Sequence, residues 1–133
     1  MSRREARDTA FKLVFEIPFH GCNYKDRIDF FIDNLEVELE ASDKEYVHKS
    51  VELCFENLED IDNNIAPLLK NWTLSRIPKV SISILRLAVV EMLYLEEIPF
   101  QVSINEAIEL AKKYGDDETP AFINGVLDKI AKK

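Results

Sequence analysis

Three arginines stand near the start of the chain: Arg3, Arg4 and Arg7. On a helix, Arg3 and Arg7 are i, i+4 neighbours, so their guanidinium groups can line one path of phosphates. A planar, weakly hydrated guanidinium also stacks on unpaired bases. Tyr114 and Phe122 flank the loop of Gly115 to Thr119. If both face a common groove, they offer stacking platforms for single-stranded bases, each worth roughly 1–3 kcal/mol. The amides that open the helix at Thr119 and Pro120 could hold a phosphate. Each group has an ordinary alternative: a solvated helix start for the arginines, a core position for the aromatics. Arg76 and Lys79 suit an exposed basic rim. Arg86 stands among apolar residues, where a guanidinium needs a carboxylate. Glu106 or Glu109 could supply it, and a nucleic-acid contact is the other option.

Catalysis asks for different patterns. The glycines, Gly21, Gly115 and Gly125, build no phosphate-cradling loop. No Gly-x-Ser-x-Gly turn and no His-Glu-x-x-His motif occurs. Acid–base work needs a desolvated carboxylate in a cleft. Pairs such as Glu36/Glu40 and Glu52/Glu56 fall instead at i, i+4 on presumed solvent faces. The expectation is a protein that is not an enzyme and carries no cofactor. Cys22 and Cys54 make no disulfide framework. Cys54 lies in the apolar series Val51, Cys54, Phe55, Leu58 and reads as a core thiol. His20 and Cys22 flank Gly21 without a second pair at metal spacing, and His48 stands alone, so no metal site is expected.

The elements must place these groups. With 133 residues, 47% of them hydrophobic, the chain fits one domain with a real core. Few glycines and prolines favour helices over a turn-rich β fold. No apolar run nears the roughly 20 residues of a membrane span. No secretory segment follows the basic N-terminus either. Both points suggest a cytoplasmic protein without membrane contact. The net charge of −8 argues against nonspecific nucleic-acid binding, yet the charge is segregated. Residues 26–62 carry 13 acids and 3 bases, whereas residues 63–90 carry Lys70, Arg76, Lys79 and Arg86 and no acid. A local basic face on an acidic body fits this pattern, as does an ordinary solvated surface.

Periodicity predicts a first helix over Arg3 to Glu16, with Ala6, Ala10, Leu13 and Val14 inward and Pro18 and Gly21 ending it. A second spans Lys25 to Glu38. A long third starts after Ser42 and keeps Val47, Val51, Cys54, Phe55, Leu58, Ile61, Ile65 and Leu68 on one stripe, with Pro67 as a kink. Trp72 follows as a core plug. Residues Ser81 to Leu95 are apolar nearly all round and predict the central buried helix. Asn105 to Tyr114 and Pro120 to Lys132 complete the set, with Gly115 as a C-cap. Ser2-Arg3-Arg4-Glu5, Ser42-Asp43-Lys44-Glu45 and Ser103-Ile104-Asn105-Glu106 all read as capping boxes, and Thr119 as a cap before Pro120. The sum is an all-α fold of six to seven helices.

Four strings resemble the NusB family: Ile84-Leu85-Arg86-Leu87-Ala88, Glu91-Met92, Ile104 to Lys112, and Phe122 to Ala131. Arg3-Arg4-Glu5-Ala6-Arg7, then Ala10, Leu13 and Phe15, is similar to the family's basic first helix. The resemblance runs over nearly the whole chain. It implies a single NusB-like domain over residues 1–133, with two packed three-helix subdomains at about 1–70 and 71–133. It implies an RNA-binding antitermination factor that recognises boxA-type RNA with NusE, a small-subunit ribosomal protein, within the RNA polymerase antitermination complex, notably at ribosomal RNA operons. No cofactor is implied. On the matched positions, Arg3, Arg4, Arg7, Phe15, Arg76, Lys79, Arg86, Tyr114, Thr119 and Phe122 are the candidate RNA contacts. Glu52 and Glu56 on the acidic third helix are candidates for the basic partner, by charge complementarity. The chain departs from the family at Ser81, Ile82 and Ser83, where an apolar Ile82 suggests a subunit contact. Competing readings are a protein–protein scaffold or homodimer with little RNA binding of its own, and the NusB-like domain of an rRNA cytosine methyltransferase. The chain carries no cofactor-binding βαβ unit, which speaks against the last.

Overall fold

Ala6, Ala10, Leu13 and Val14 recur at helical spacing, and all four are buried in the computed structural model of the chain. The structure describes residues 3–20, 23–35, 38–70 and 73–132. The expected Ser2 cap, Gly21 stop, Cys22, Glu36 and Trp72 lie outside them. Among the described residues there are seven α-helices and no strand: α1 (Arg3–His20), α2 (Tyr24–Asp33), α3 (Ala41–Glu56), α4 (Leu58–Ile65), α5 (Lys79–Tyr94), α6 (Phe100–Tyr114) and α7 (Thr119–Ala131). Short 3-10 turns at Ala66–Leu68 and Leu74–Arg76 lead from α4 to α5.

Several boundaries differ from the sequence expectation, each for a local reason. Pro18 does not end α1, which runs on to His20. Near a helix end the missing amide of a proline forfeits one backbone bond, and the Pro18 ring is exposed. Helix α2 stops at Asp33, earlier than Glu38. There the Asn34 side chain donates to the Phe30 carbonyl at 2.8 Å and closes the last turn. The long third helix is two helices, interrupted at Asn57, whose backbone leaves the helical region at φ −120° and ψ 23°. The Asn57 amide side chain donates to the Leu53 carbonyl at 2.9 Å and holds the break. The apolar stripe crosses it unbroken: Val47, Val51, Cys54, Ile61 and Ile65 are all fully buried.

The Ser42 and Ser103 capping boxes do not form. Helix α3 begins at Ala41 and α6 at Phe100, directly after Pro99, and neither has a side-chain cap bond. Ser103 lies inside α6, buried, with its hydroxyl turned to Glu91. At α7 the cap is supplied by Asp116, whose carboxylate accepts from the amides of Glu118 at 3.0 Å and Thr119 at 3.2 Å.

Helix α5 is buried on nearly every side and packs against α1, α3, α4, α6 and α7. Ser81, Ile82 and Ser83 are part of this burial, so Ile82 faces the core and cannot serve as a subunit contact. One hydrophobic cluster runs from Ala6 to Ile130 around α5. Each fully buried Leu or Ile there contributes about 1.5–3 kcal/mol from water exclusion. Among the described residues, three charged side chains are buried with this cluster, Arg7, Asp43 and Glu91, and they carry the site geometry.

Candidate nucleic-acid interface

The first two turns of α1 present Arg3, Arg4 and Arg7, and each meets a carboxylate from another helix. Arg3 Nε donates to Asp43 of α3 at 2.8 Å. Arg4 makes a bidentate contact with Glu106 of α6, at 3.0 and 2.7 Å. Arg7 makes one with Glu91 of α5, at 2.9 and 3.2 Å. Glu91 also accepts from the Tyr46 hydroxyl and from Ser103 Oγ at 2.9 Å. A buried carboxylate needs this many donors, because an unpaired charge in the interior is expensive. Burial alone would lower the Arg7 pKa, but the hydrogen bonds and charge of Glu91 overcome it and hold the value above normal. Burial, then the neighbouring Glu91 charge, pushes the Tyr46 phenol well above its ordinary range. Arg3 and Arg4 remain solvent-facing. The Arg4 side chain is 65% exposed, whereas that of Arg7 is 8% exposed. The three arginines therefore divide: two face water, and one is built into the core.

A groove of about 640 Å³ lies beside α1 and α6, with Arg4, Lys12, Lys112 and Lys113 among its walls. Asp8 sits within it. Its carboxylate accepts from Lys113 Nζ at 2.9 Å and the Tyr114 hydroxyl at 2.5 Å, and Lys12 Nζ stands 3.2 Å away. Partial burial would raise the Asp8 pKa, but these donors together hold it below the usual carboxylate range. Glu106 is held low chiefly by its hydrogen bonds to Arg4. The Tyr114 ring packs on Phe11 with centroids 4.8 Å apart, and Phe15 and Phe19 continue this row along α1. Phe15, half-buried, lines a second depression with Lys12, Phe31, Val80 and Tyr114.

Phe122 does not share this surface. It lines a separate groove with Leu68, Lys70, Val126 and Lys129, so Tyr114 and Phe122 do not flank one site. The turn between them is locked. Thr119 is buried, and its hydroxyl donates to Asp116 at 3.0 Å. Gly115 is required there, since a Cβ on it would lie 2.6 Å from the Thr119 side chain. At Gly125, by contrast, a Cβ would meet nothing within 4 Å. The amides at the start of α7 are already taken by Asp116 rather than left for a phosphate.

Arg86 pairs with Asp62 of α4 through two bonds of 2.9 Å, not with Glu106 or Glu109. Arg76 and Lys79 are exposed, as expected of a basic rim. Glu52 is half-buried and 3.9 Å from His48 Nδ1, while Glu56 is exposed at the end of α3. Sequence reasoning missed Asp8, Lys12 and Lys113. The i, i+4 spacing of Asp8 and Lys12 was visible, but the approach of Lys113 across 105 residues was not. The grouping of Lys70 with Lys129 beside Phe122 was likewise invisible to spacing. Among the described residues no cluster of three or more metal-ligating side chains occurs, and no helix is long and apolar enough to cross a membrane.

A sequence model of the NusB family matches residues 4–132. The transcription antitermination protein NusB of Alkaliphilus oremlandii is 44% identical over 133 residues, covering 100% of this chain and 95% of that protein. Its counterpart in Clostridium novyi is 41% identical over 132 residues, with 99% of each covered. Among solved structures, NusB of T. maritima matches with a TM-score of 0.91 at 35% identity, covering 100% of this chain and 92% of the other. A crystal structure of antitermination factors NusB and NusE in complex with dsRNA matches with a TM-score of 0.85 at 29% identity, covering 99% and 98%.

Proposed function

The chain belongs to the NusB family, and from that premise we propose that it is an RNA-binding transcription antitermination factor. It recognises boxA-type single-stranded RNA together with a NusE-type ribosomal protein and joins the RNA polymerase antitermination complex, notably at ribosomal RNA operons. The observation that carries this reading is the match over 99% of the chain to a NusB structure that holds NusE and dsRNA. The exposed guanidinium groups of Arg3 and Arg4 and the lysines along the α1–α6 groove support it, since phosphate contacts come from exposed Arg and Lys. The reading is one of binding and assigns no reaction.

Within it, the candidate residues take different parts. Arg3 and Arg4 contact phosphates, with Arg76 and Lys79 as an outer basic rim. Phe15, Tyr114 and Phe122 supply apolar and stacking surface in two separate depressions. Arg7 and Arg86 act from inside, by fixing α1 on α5 and α5 on α4. Thr119 shapes the turn before α7. Glu52 and Glu56 belong to the acidic face that a basic ribosomal protein would approach.

Fluorescence titration of a boxA-like single strand against a scrambled one, with and without the NusE-type partner, tests the function. Preference for the boxA-like strand, strengthened by the partner and falling steeply with salt, is the expected result. Equal binding of both strands, alone and with the partner, removes the proposal.

A further inference from the structure

Among the described residues, five cations line the α1–α6 groove, and each already has a carboxylate. Arg4 holds Glu106, Arg7 holds Glu91, Lys112 holds Glu109, and Lys12 and Lys113 share Asp8. Asp8 stands apart among these acids. It lies one helical turn after Arg4 and gathers two ammonium groups and a phenol hydroxyl around one carboxylate. Two ammonium donors and one hydroxyl donor around a singly charged, two-oxygen anion also describe what a phosphodiester takes from a protein. Lys12 and Lys113 are 48% and 61% exposed, so their heads can turn to an anion at the groove mouth while their stems stay in place. Partly exposed ion pairs of this kind stabilise little, so exchanging one anion for another costs little. Glu106 is less suited to exchange, because it also lies 3.9 Å from buried Arg7 and helps neutralise it.

We propose that Lys12, Lys113 and the Tyr114 hydroxyl form a phosphate seat for the RNA backbone, and that Asp8 occupies this seat in the free protein as an internal competitor. The proposal rests on the RNA-binding reading and adds a residue that sets affinity without setting sequence preference. Removing the charge of Asp8 frees two lysines for phosphate. Removing a lysine takes away one phosphate contact.

The test is a fluorescence titration of a fluorescein-labelled boxA-like single-stranded RNA and a scrambled control, over a range of salt, with wild type, D8N, K113A and D8N/K113A. D8N is expected to bind both strands roughly three- to tenfold tighter, with the ratio between strands unchanged. K113A binds both more weakly, and its log affinity against log salt is shallower by about 0.7, the value for one single-strand phosphate contact. The double variant loses most of the D8N gain. Unchanged or weaker binding by D8N with its helicity intact overturns the proposal, as does K113A matching wild type in affinity and slope. Should D8N fail to fold, K113A decides alone, because its side chain is largely in solvent. Wild type that binds neither strand, with or without the partner, overturns the RNA-binding reading itself; wild type that binds while D8N and K113A both match it overturns only the phosphate seat.

Discussion

The guanidinium of Arg7 and the carboxylate of Glu91 meet side by side, 84 residues apart in sequence, with Tyr46 and Ser103 filling the remaining acceptor positions of the carboxylate. Four helices therefore converge on one charge pair. Breaking it from either side strands a buried charge. R7A or E91A should each lose about 3–5 kcal/mol of stability, while a paired replacement by Met and Leu should lose much less than the sum. Chemical denaturation of the three variants measures this. Additive losses would show that the two groups are not coupled.

Solvent-facing Arg4 should behave in the opposite way. R4A is expected to weaken RNA binding and flatten its salt dependence while unfolding within about 1 kcal/mol of wild type, since its ion pair with Glu106 is exposed, whereas R3A also leaves the buried carboxylate of Asp43 without its partner and should cost more stability. A melting loss in R4A as large as that of R7A would mean that Arg4 is structural as well.

Asp8 and Glu106 predict the acid limb of stability. Both carboxyls titrate below their ordinary values in the folded protein, Asp8 because Tyr114, Lys113 and Lys12 outweigh its burial, Glu106 through Arg4. A depressed folded pKa gives stability that is present above the unfolded value, near pH 4, and lost as the pH falls through the folded one. Melting temperature should be flat from about pH 7 to 5 and fall below about pH 4. D8N should soften that fall. A rise in stability on acidification would reverse the assigned sign.

Cys54 offers a reporter of unfolding. Burial, opposed only in part by Arg86, pushes its thiol up to about 12. In a C22S background, iodoacetamide at pH 8 should leave the native protein unmodified and label it fully in denaturant, as read by mass spectrometry. Rapid labelling of the native form would show that the core opens around α3.

The two described glycines should respond in opposite directions to alanine. G115A drives a methyl into Thr119, which is buried and tied to Asp116, and should cost about 1–3 kcal/mol. G125A adds a methyl to open space within α7 and should stabilise by about 0.5–1 kcal/mol. Thermal unfolding distinguishes the two signs.

The helices were readable where a stripe of apolar residues persisted. Ala6, Ala10, Leu13 and Val14 announce α1, and the all-round apolar run announces α5 as the central helix. The break at Asn57 was hidden, because its stripe resumes in phase. Ser42 and Ser103 matched a four-residue pattern that is purely local, whereas Ser103 is recruited by a carboxylate of another helix. The site was legible as residue types and not as pairings. Arg86 was expected to need a carboxylate and has one, but Asp62 is brought to it by the turn at Asn57, which no spacing rule encodes. The division of Arg3 and Arg4 from Arg7 likewise depends on how α1 rolls against α5.

The pairing of every groove cation with a carboxylate also has a kinetic consequence. A free cationic surface draws RNA from a distance and speeds encounter. Here the near field is neutralised, and the body carries a net charge of −8. Association should therefore proceed at the unsteered rate of about 10⁵–10⁶ M⁻¹s⁻¹ and change little with salt, leaving the lifetime of the bound state to discriminate between strands.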